Sequence, residues 1–229
     1  MSTGSLVLLS GGMDSALLLA QEVAAAGAER VHALGFHYGA RHNGRELQAA
    51  RELARHYGAT WAEPCSLGWV GRRYRSNLLD PAATDLQGPS TVVPVRNLSL
   101  LCLAAGYADS QGIGRVLIGC NADDARDFPD CRQDVLDLLR ITVRMATGGR
   151  VEIEFPLVGL TKTQIVVAGN ALGVPWDLTY SCYAGEAEPC GTCQACWVRQ
   201  GAFAQAELGR ERPARRERAL LQVETAGGG

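Results

Sequence analysis

Two groups of residues in this chain carry chemistry by type and spacing. The first is Ser10-Gly11-Gly12-Met13-Asp14-Ser15, which follows directly on the apolar run that begins at Ser5. Two glycines let the backbone turn sharply and approach an anion closely. Successive N–H groups and the start of a helix then supply donors and partial positive charge, and Ser10 and Ser15 add hydroxyls. Asp14 repels phosphate unless a cation lies between them, so it points to Mg2+ bridged to a polyphosphate. The loop is neither Gly-x-x-x-x-Gly-Lys-Ser/Thr nor Gly-x-Gly-x-x-Gly. The plain alternative is a tight strand-to-helix turn with a Ser or Asp cap.

The second group is Cys182, Cys190, Cys193 and Cys196, four of eight cysteines. The Cys190-x2-Cys193-x2-Cys196 run can wrap one ion, and Cys182 can close a tetrahedron from the preceding loop. A closed zinc site of four cysteines would be structural, tying down a lobe with little core of its own. Iron–sulfur ligation uses similar spacing and stays open as the rival. Cys65, Cys102, Cys120 and Cys131 are scattered and read as small buried hydrophobes, with Cys131 a partial exception because it falls in a polar stretch.

Three more stretches are dense in polar side chains: Phe36 to His42, Val95-Arg96-Asn97, and Asn121 to Arg132. Each adjoins a core element where a pocket would form, although any one of their residues could be a loop or cap residue. The 22 basic residues comprise 21 arginines and one lysine, Lys162. An ammonium is a compact point charge that a guanidinium does not replace.

The elements that must hold these groups alternate between strand and helix. Strands are expected at Ser5–Ser10, Val31–His37, Ala59–Glu63, Arg115–Gly119 and Val151–Phe155. Helices are expected from Ala16 to Ala26, Gly44 to Tyr57, Asn97 to Asp109, Arg132 to Met145 and Thr161 to Leu172. Gly27, Gly58 and Gly173 stop three of them, and Thr161 is the N-cap of the last. Such alternation predicts a parallel sheet covered on both faces, with a ligand crevice at the strands' C-terminal ends. Pro64 to Pro94 has no period and exceeds the length of an idle loop, so it forms a functional lid or holds short elements. The expected organisation is an α/β domain over 1–178, a small cysteine lobe with a helix over 179–208, and a frayed tail over 209–229.

At 229 residues, 47% hydrophobic and 20% charged, the chain has a globular balance. A net charge of −2 gives obligate nucleic-acid binding no support. The apolar stretches are short and interrupted, which predicts no membrane span, and no basic region precedes the first of them. A cytoplasmic protein is expected.

Ser-Gly-Gly-x-Asp-Ser resembles the signature loop of the PP-loop ATP pyrophosphatases, of HUP-like α/β fold, which cleave ATP between its α and β phosphates and adenylate a substrate. Further stretches resemble one branch, the 7-cyano-7-deazaguanine synthases of queuosine precursor synthesis. They are Tyr38-Gly-Ala-Arg-His42, Pro94-Val-Arg-Asn97, Phe128-Pro-Asp-Cys-Arg132, Pro156-Leu-Val-Gly-Leu-Thr-Lys162, Ser181-Cys-Tyr-Ala-Gly185 and the cysteine knuckle. The resemblance runs from Leu6 to about Ala204.

It implies a ligase that adenylates 7-carboxy-7-deazaguanine and, with ammonia, converts it to the nitrile, releasing AMP and pyrophosphate. ATP, Mg2+ and Zn2+ are the implied cofactors, and a homodimer the implied assembly. The nucleotide would lie on Leu8, Leu9, Ser10, Gly11, Gly12, Met13, Asp14, Ser15, Ala16, Leu17 and Leu18. Asp14, Lys162 and Arg132 would serve the phosphates. Tyr38, Arg41, His42, Arg96, Asn97, Asp124, Phe128, Asp130 and Cys131 would form the substrate pocket, with Asp130 reading guanine-like N–H donors.

Five positions depart from the pattern: Val95 and Ala184 stand where the family has Gly and Asn, and Ala125-Arg126-Asp127 replaces an aromatic, a Ser and a Gly. These departures motivate the alternative of a paralogue that couples the activated acid to another amine, such as one on a protein.

Overall fold

The computed structural model describes residues 4–208; the tail expected over 209–229 lies outside the described residues. In chain order the strands are β1 (Ser5–Leu8), β2 (Val31–Leu34), β3 (Phe36–His37), β4 (Thr60–Trp61), β5 (Cys65–Ser66), β6 (Arg115–Leu117) and β7 (Glu152–Glu154). The helices are α1 (Met13–Ala26), α2 (Asn43–Tyr57), α3 (Gly68–Arg73), α4 (Arg96–Gln111), α5 (Asp124–Asp127), α6 (Gln133–Ala146), α7 (Lys162–Ala171) and α8 (194–208).

Five strands form one parallel sheet in the order β4-β2-β1-β6-β7. Ser5 of β1 sits opposite Val31 on one side and Arg115 on the other. The chain therefore builds outward from β1 in one direction and then returns to build in the other. The connections after β1 and β6 diverge and leave a crevice at the C-terminal edge, as expected at a topological switch point.

Because β1 is covered on both faces, it reads as an unbroken apolar run. Leu6 and Leu8 join Leu101, Ala104 and Leu136 of α4 and α6 in one core. Val7 and Leu9 point the opposite way, into Leu17, Leu53 and Ile165 of α1, α2 and α7.

The expected strand Val31–His37 is two strands. Leu34 ends the pairing with β1, which turns off into the glycine loop, and the Gly35 carbonyl instead accepts from the Cys65 N–H at 3.0 Å. β3 then pairs with β5 in a separate two-stranded sheet. Gly35 itself is closely packed: a Cβ there would lie 2.4 Å from the Leu47 side chain and 2.9 Å from Trp61.

The aperiodic segment Pro64 to Pro94 holds β5, α3 and a 3-10 turn at Gly88–Thr91. Its Leu78, Leu79, Leu86 and Val93 share a core with Tyr38, Cys182, Cys193 and Cys196. Gly88–Gln111 has the length and mean hydropathy, 1.3, of a membrane span. It is not one helix, however, and α4 within it spends Leu101, Ala104, Ala105 and Ala108 on the sheet.

Val95, just before α4, is left-handed at φ 56° and 56% exposed. A β-branched residue is strained there by about 1–2 kcal/mol, and little burial offsets it. Val95→Gly is therefore expected to raise stability by about 0.5–1 kcal/mol after the entropic cost of glycine. A higher urea midpoint at unchanged slope is the reading that checks it.

Candidate active site

The glycine loop sits at the head of the crevice. α1 begins at Met13 behind Gly12, which provides no side-chain cap, so its first-turn N–H groups face the cleft unoccupied by a capping side chain. That is the arrangement an anion needs. Ser15 Oγ donates to the Gly12 carbonyl at 3.1 Å and lies 3.2 Å from Ser10 Oγ, which fixes the turn. Gly11 serves packing instead: at φ 84° it lies against α2, where a Cβ would come within 2.4 Å of the Glu46 carbonyl. Of these two glycines, Gly12 borders the cleft.

Across the switch point α7 delivers the lone lysine. Thr161 and Gln164 form a capping box, and the Lys162 N–H donates to Asp123 Oδ2 at 2.8 Å. Lys162 Nζ lies 2.5 Å from Asp14 Oδ2 and 3.4 Å from Asp124 Oδ1. Asp124 is held by Asn121, whose Nδ2 donates to Oδ2 at 2.6 Å. Asp14, whose charge calls for Mg2+ beside a polyphosphate, here also carries the ammonium on its carboxylate. Asp14 Oδ1 is buried without a hydrogen-bond partner among the described residues.

Burial works against the Lys162 ammonium, but Asp14 and Asp124 outweigh it and hold the group above its ordinary pKa. Burial also pushes Asp124 up to about 6, against the opposing pull of Lys162. Between pH of about 4 and 6 the folded chain thus keeps a proton that the unfolded chain has released. The stabilisation is fully present below the ordinary carboxylate pKa and is lost as pH rises through about 6. Asp124→Asn is expected to flatten stability across that window; denaturant midpoints at pH 4.5 and 7 compare the two proteins.

Deeper in the cleft, Arg96 lies over the Tyr38 ring at 5.4 Å and donates to Tyr38 Oη at 3.1 Å. Tyr38 Oη is also 3.3 Å from His42 Nε2, and the Glu46 carboxylate stands 3.7 Å from the same nitrogen. Burial pushes Tyr38 up to about 12 and lowers His42, so both are neutral at pH 7. No carboxylate lies within ion-pair distance of Arg96 among the described residues, which leaves a cation facing the cavity. Leu34, Phe36, Leu100, Ile118, Phe128 and Cys131 supply apolar walls. A flat, polar-edged, anionic molecule suits such a chamber.

Of the residues expected from sequence, Leu8, Leu9, Ser10, Gly12, Met13, Asp14, Ser15, Tyr38, His42, Arg96, Asn97, Asp124, Phe128, Cys131 and Lys162 line one cavity. Gly11 faces α2, and Ala16, Leu17 and Leu18 are buried in the core behind α1. Arg41 turns away to donate to the carbonyls of Asp80 and Ala83. Asp130 Oδ2 accepts the Asn97 N–H at 2.8 Å at the start of α4. Arg132 precedes α6, its side chain 57% exposed and paired with Asp134 at 3.2 Å, outside the cavity lining. Glu46, Cys120, Asp123, Tyr183 and Gln194 line the cavity without having been singled out for the pocket. The adjacency of Tyr183 and Gln194 to the cysteine run, and of Asp123 to Asp124, is the available signal.

The four cysteines of the C-terminal run converge, with all Sγ atoms within 4.8 Å of one another. Ala184 and Cys190 donate N–H groups to Cys182 Sγ, Cys193 to Cys190 Sγ, and Tyr183 to Cys193 Sγ. Burial disfavours the Cys190 thiolate, but the Thr192 and Cys193 donors outweigh it and bring the group to about 6. Burial raises Cys193 and Cys196. Crowded sulfurs already receiving N–H donors can hold a metal ion, whose charge would overcome that penalty.

This parallel sheet, with its glycine loop at the switch point, defines the fold as that of the PP-loop ATP pyrophosphatases. A solved structure of the U34-tRNA thiolase NcsA from Methanococcus maripaludis, with its [4Fe-4S] cluster, has the same fold. It matches 98% of this chain and 71% of its own length at a TM-score of 0.51 and 14% identity. The family model described as Queuosine biosynthesis protein QueC matches residues 4–207, and the chain belongs to that family. The 7-cyano-7-deazaguanine synthase of Nostoc punctiforme is 39% identical over 220 residues, 89% of this chain and 96% of its own. That of Methanosphaerula palustris is 39% identical over 210 residues, 88% and 94% of the two chains.

Proposed function

We propose that this protein is an ATP-dependent ligase that turns 7-carboxy-7-deazaguanine and ammonia into 7-cyano-7-deazaguanine, with AMP and pyrophosphate as the spent products. The observation that carries the reading is Lys162, the only lysine, poised between Asp14 and Asp124 beside an uncapped helix start.

In the first stage a carboxylate oxygen attacks the α-phosphorus of ATP and pyrophosphate leaves. Ammonia then adds to the acyl carbon and AMP departs with that oxygen, giving the amide and releasing a proton. In the second stage the amide oxygen attacks a second ATP; loss of AMP and the nitrogen's protons leaves the nitrile. AMP is a far better leaving group than oxide, which is why two nucleotides are consumed.

The first-turn amides of α1, with Ser10 and Ser15, would receive the departing pyrophosphate. Lys162 would shift from Asp14 toward the charge that develops on the phosphates, a large electrostatic contribution. Asp14, with its unpartnered Oδ1, would hold Mg2+, which when bound neutralises polyphosphate charge. Arg96 would meet the carboxylate of the acid, and the apolar walls its ring. The four cysteines suit Zn2+ in a closed, structural site. A homodimer is the assembly the resemblance implies.

The alternative of another amine as acceptor finds no support in the relatives, which carry the synthase name over nearly their whole length. Incubation with the acid, ATP and ammonium tests the reading by mass spectrometry. The nitrile is the expected product; AMP accumulating without it would overturn the assignment of the acceptor.

A further inference from the structure

Gln194 lies between two of the cysteines, Cys193 and Cys196, at the start of α8, yet its side chain points into the cleft. Its Oε1 accepts the Gly88 N–H at 3.0 Å, and its Nε2 donates to Asp127 Oδ2 at 2.8 Å. Its own N–H donates to the Leu86 carbonyl at 3.2 Å. Asp127 closes α5, the four-residue helix that also carries Asp124. Among the described residues, the Gln194–Asp127 pair is the one side-chain hydrogen bond joining α5 to the cysteine lobe.

We infer that Gln194 is a positioning residue: it fixes α5 and the adjoining Phe128 against the cysteine lobe and so sets affinity for the acid rather than for ATP. Lys162 touches α5 through Asp124 at 3.4 Å, but it is also held by Asp14, by Asp123 ahead of α5 and by its capping box, so breaking the latch should disturb the phosphate side less than the wall at Phe128. The inference rests on the proposed function for its substrate but not for its structural content.

The test is a polarity swap. Gln194→Glu sets two carboxylates against each other, whereas Gln194→Glu with Asp127→Asn restores a donor, now on residue 127. Gln194→Glu is expected to raise KM for 7-carboxy-7-deazaguanine about tenfold. KM for ATP and kcat should stay within about twofold, and the swapped pair should return most of the loss. Hydrogen exchange over 124–128 in the free protein should rise in the single variant and recover in the pair. An unchanged KM and unchanged exchange, or a pair no better than Gln194→Glu alone, would overturn the inference. If the parent makes no AMP from the acid, the proposed function falls, and exchange alone decides whether Gln194 positions α5.

Discussion

Lys162→Ala is expected to lower kcat for AMP formation from ATP and the acid by about 100- to 1000-fold, the scale of losing one preorganised charge at a reacting centre. The lysine ammonium occupies a narrow place, 2.5 Å from Asp14 and 3.4 Å from Asp124. Without it, Asp14 and Asp124 face each other and the incoming polyphosphate with no ammonium between them. Lys162→Arg should recover little, because a planar guanidinium does not fit where a compact ammonium does. The variant must also be shown to fold, since part-buried carboxylates left unpaired cost stability. A loss below about fivefold in a folded variant, well short of the expected range, would remove Lys162 from the chemistry.

Breaking the cysteine site should be felt across the molecule. Cys196→Ser, or a strong chelator, is expected to cost at least about 4 kcal/mol, well under the about 10–16 kcal/mol that structural zinc supplies to zinc-finger peptides. For a chain of this length that is a fall in Tm of about 10 °C. The reason lies in shared packing: Cys182, Cys193 and Cys196 pack with Leu78, Leu79, Leu86 and Val93 of the long segment and with Tyr38 of the cleft. Gln87 adds a hydrogen bond to the Thr192 carbonyl at 2.6 Å. Substrate binding should weaken with stability. Calorimetry with metal analysis checks both, and an unaltered Tm after complete metal loss would contradict the structural role.

Much of this is legible in the sequence itself, wherever local rules and tertiary packing agree. Continuous apolar strands, glycine stops at 27 and 58 and the Thr161 cap each follow from nearest-neighbour physics, and each stands in the fold. The loop at 10–15 and the Cys190-x2-Cys193-x2-Cys196 run were legible because their chemistry needs those spacings. What escaped was direction. Arg41, Asp130 and Arg132 sit in the right stretches, but the first binds the 80–83 turn, the second the start of α4, and the third Asp134 at the surface. No periodicity reports such turns. The break at Gly35 escaped for a similar reason: it depends on where β1 stops offering a pairing edge, which the 31–37 run does not contain.

The most direct measurement uses 7-carboxy-7-deazaguanine labelled with oxygen-18 in its carboxylate, turned over with ATP and ammonium and read by mass spectrometry of the spent nucleotide. If the acid is adenylated behind the glycine loop, each nitrile should be matched by two AMP molecules, each bearing one labelled oxygen. Label recovered in water or inorganic phosphate, or ADP as the spent nucleotide, would contradict the account.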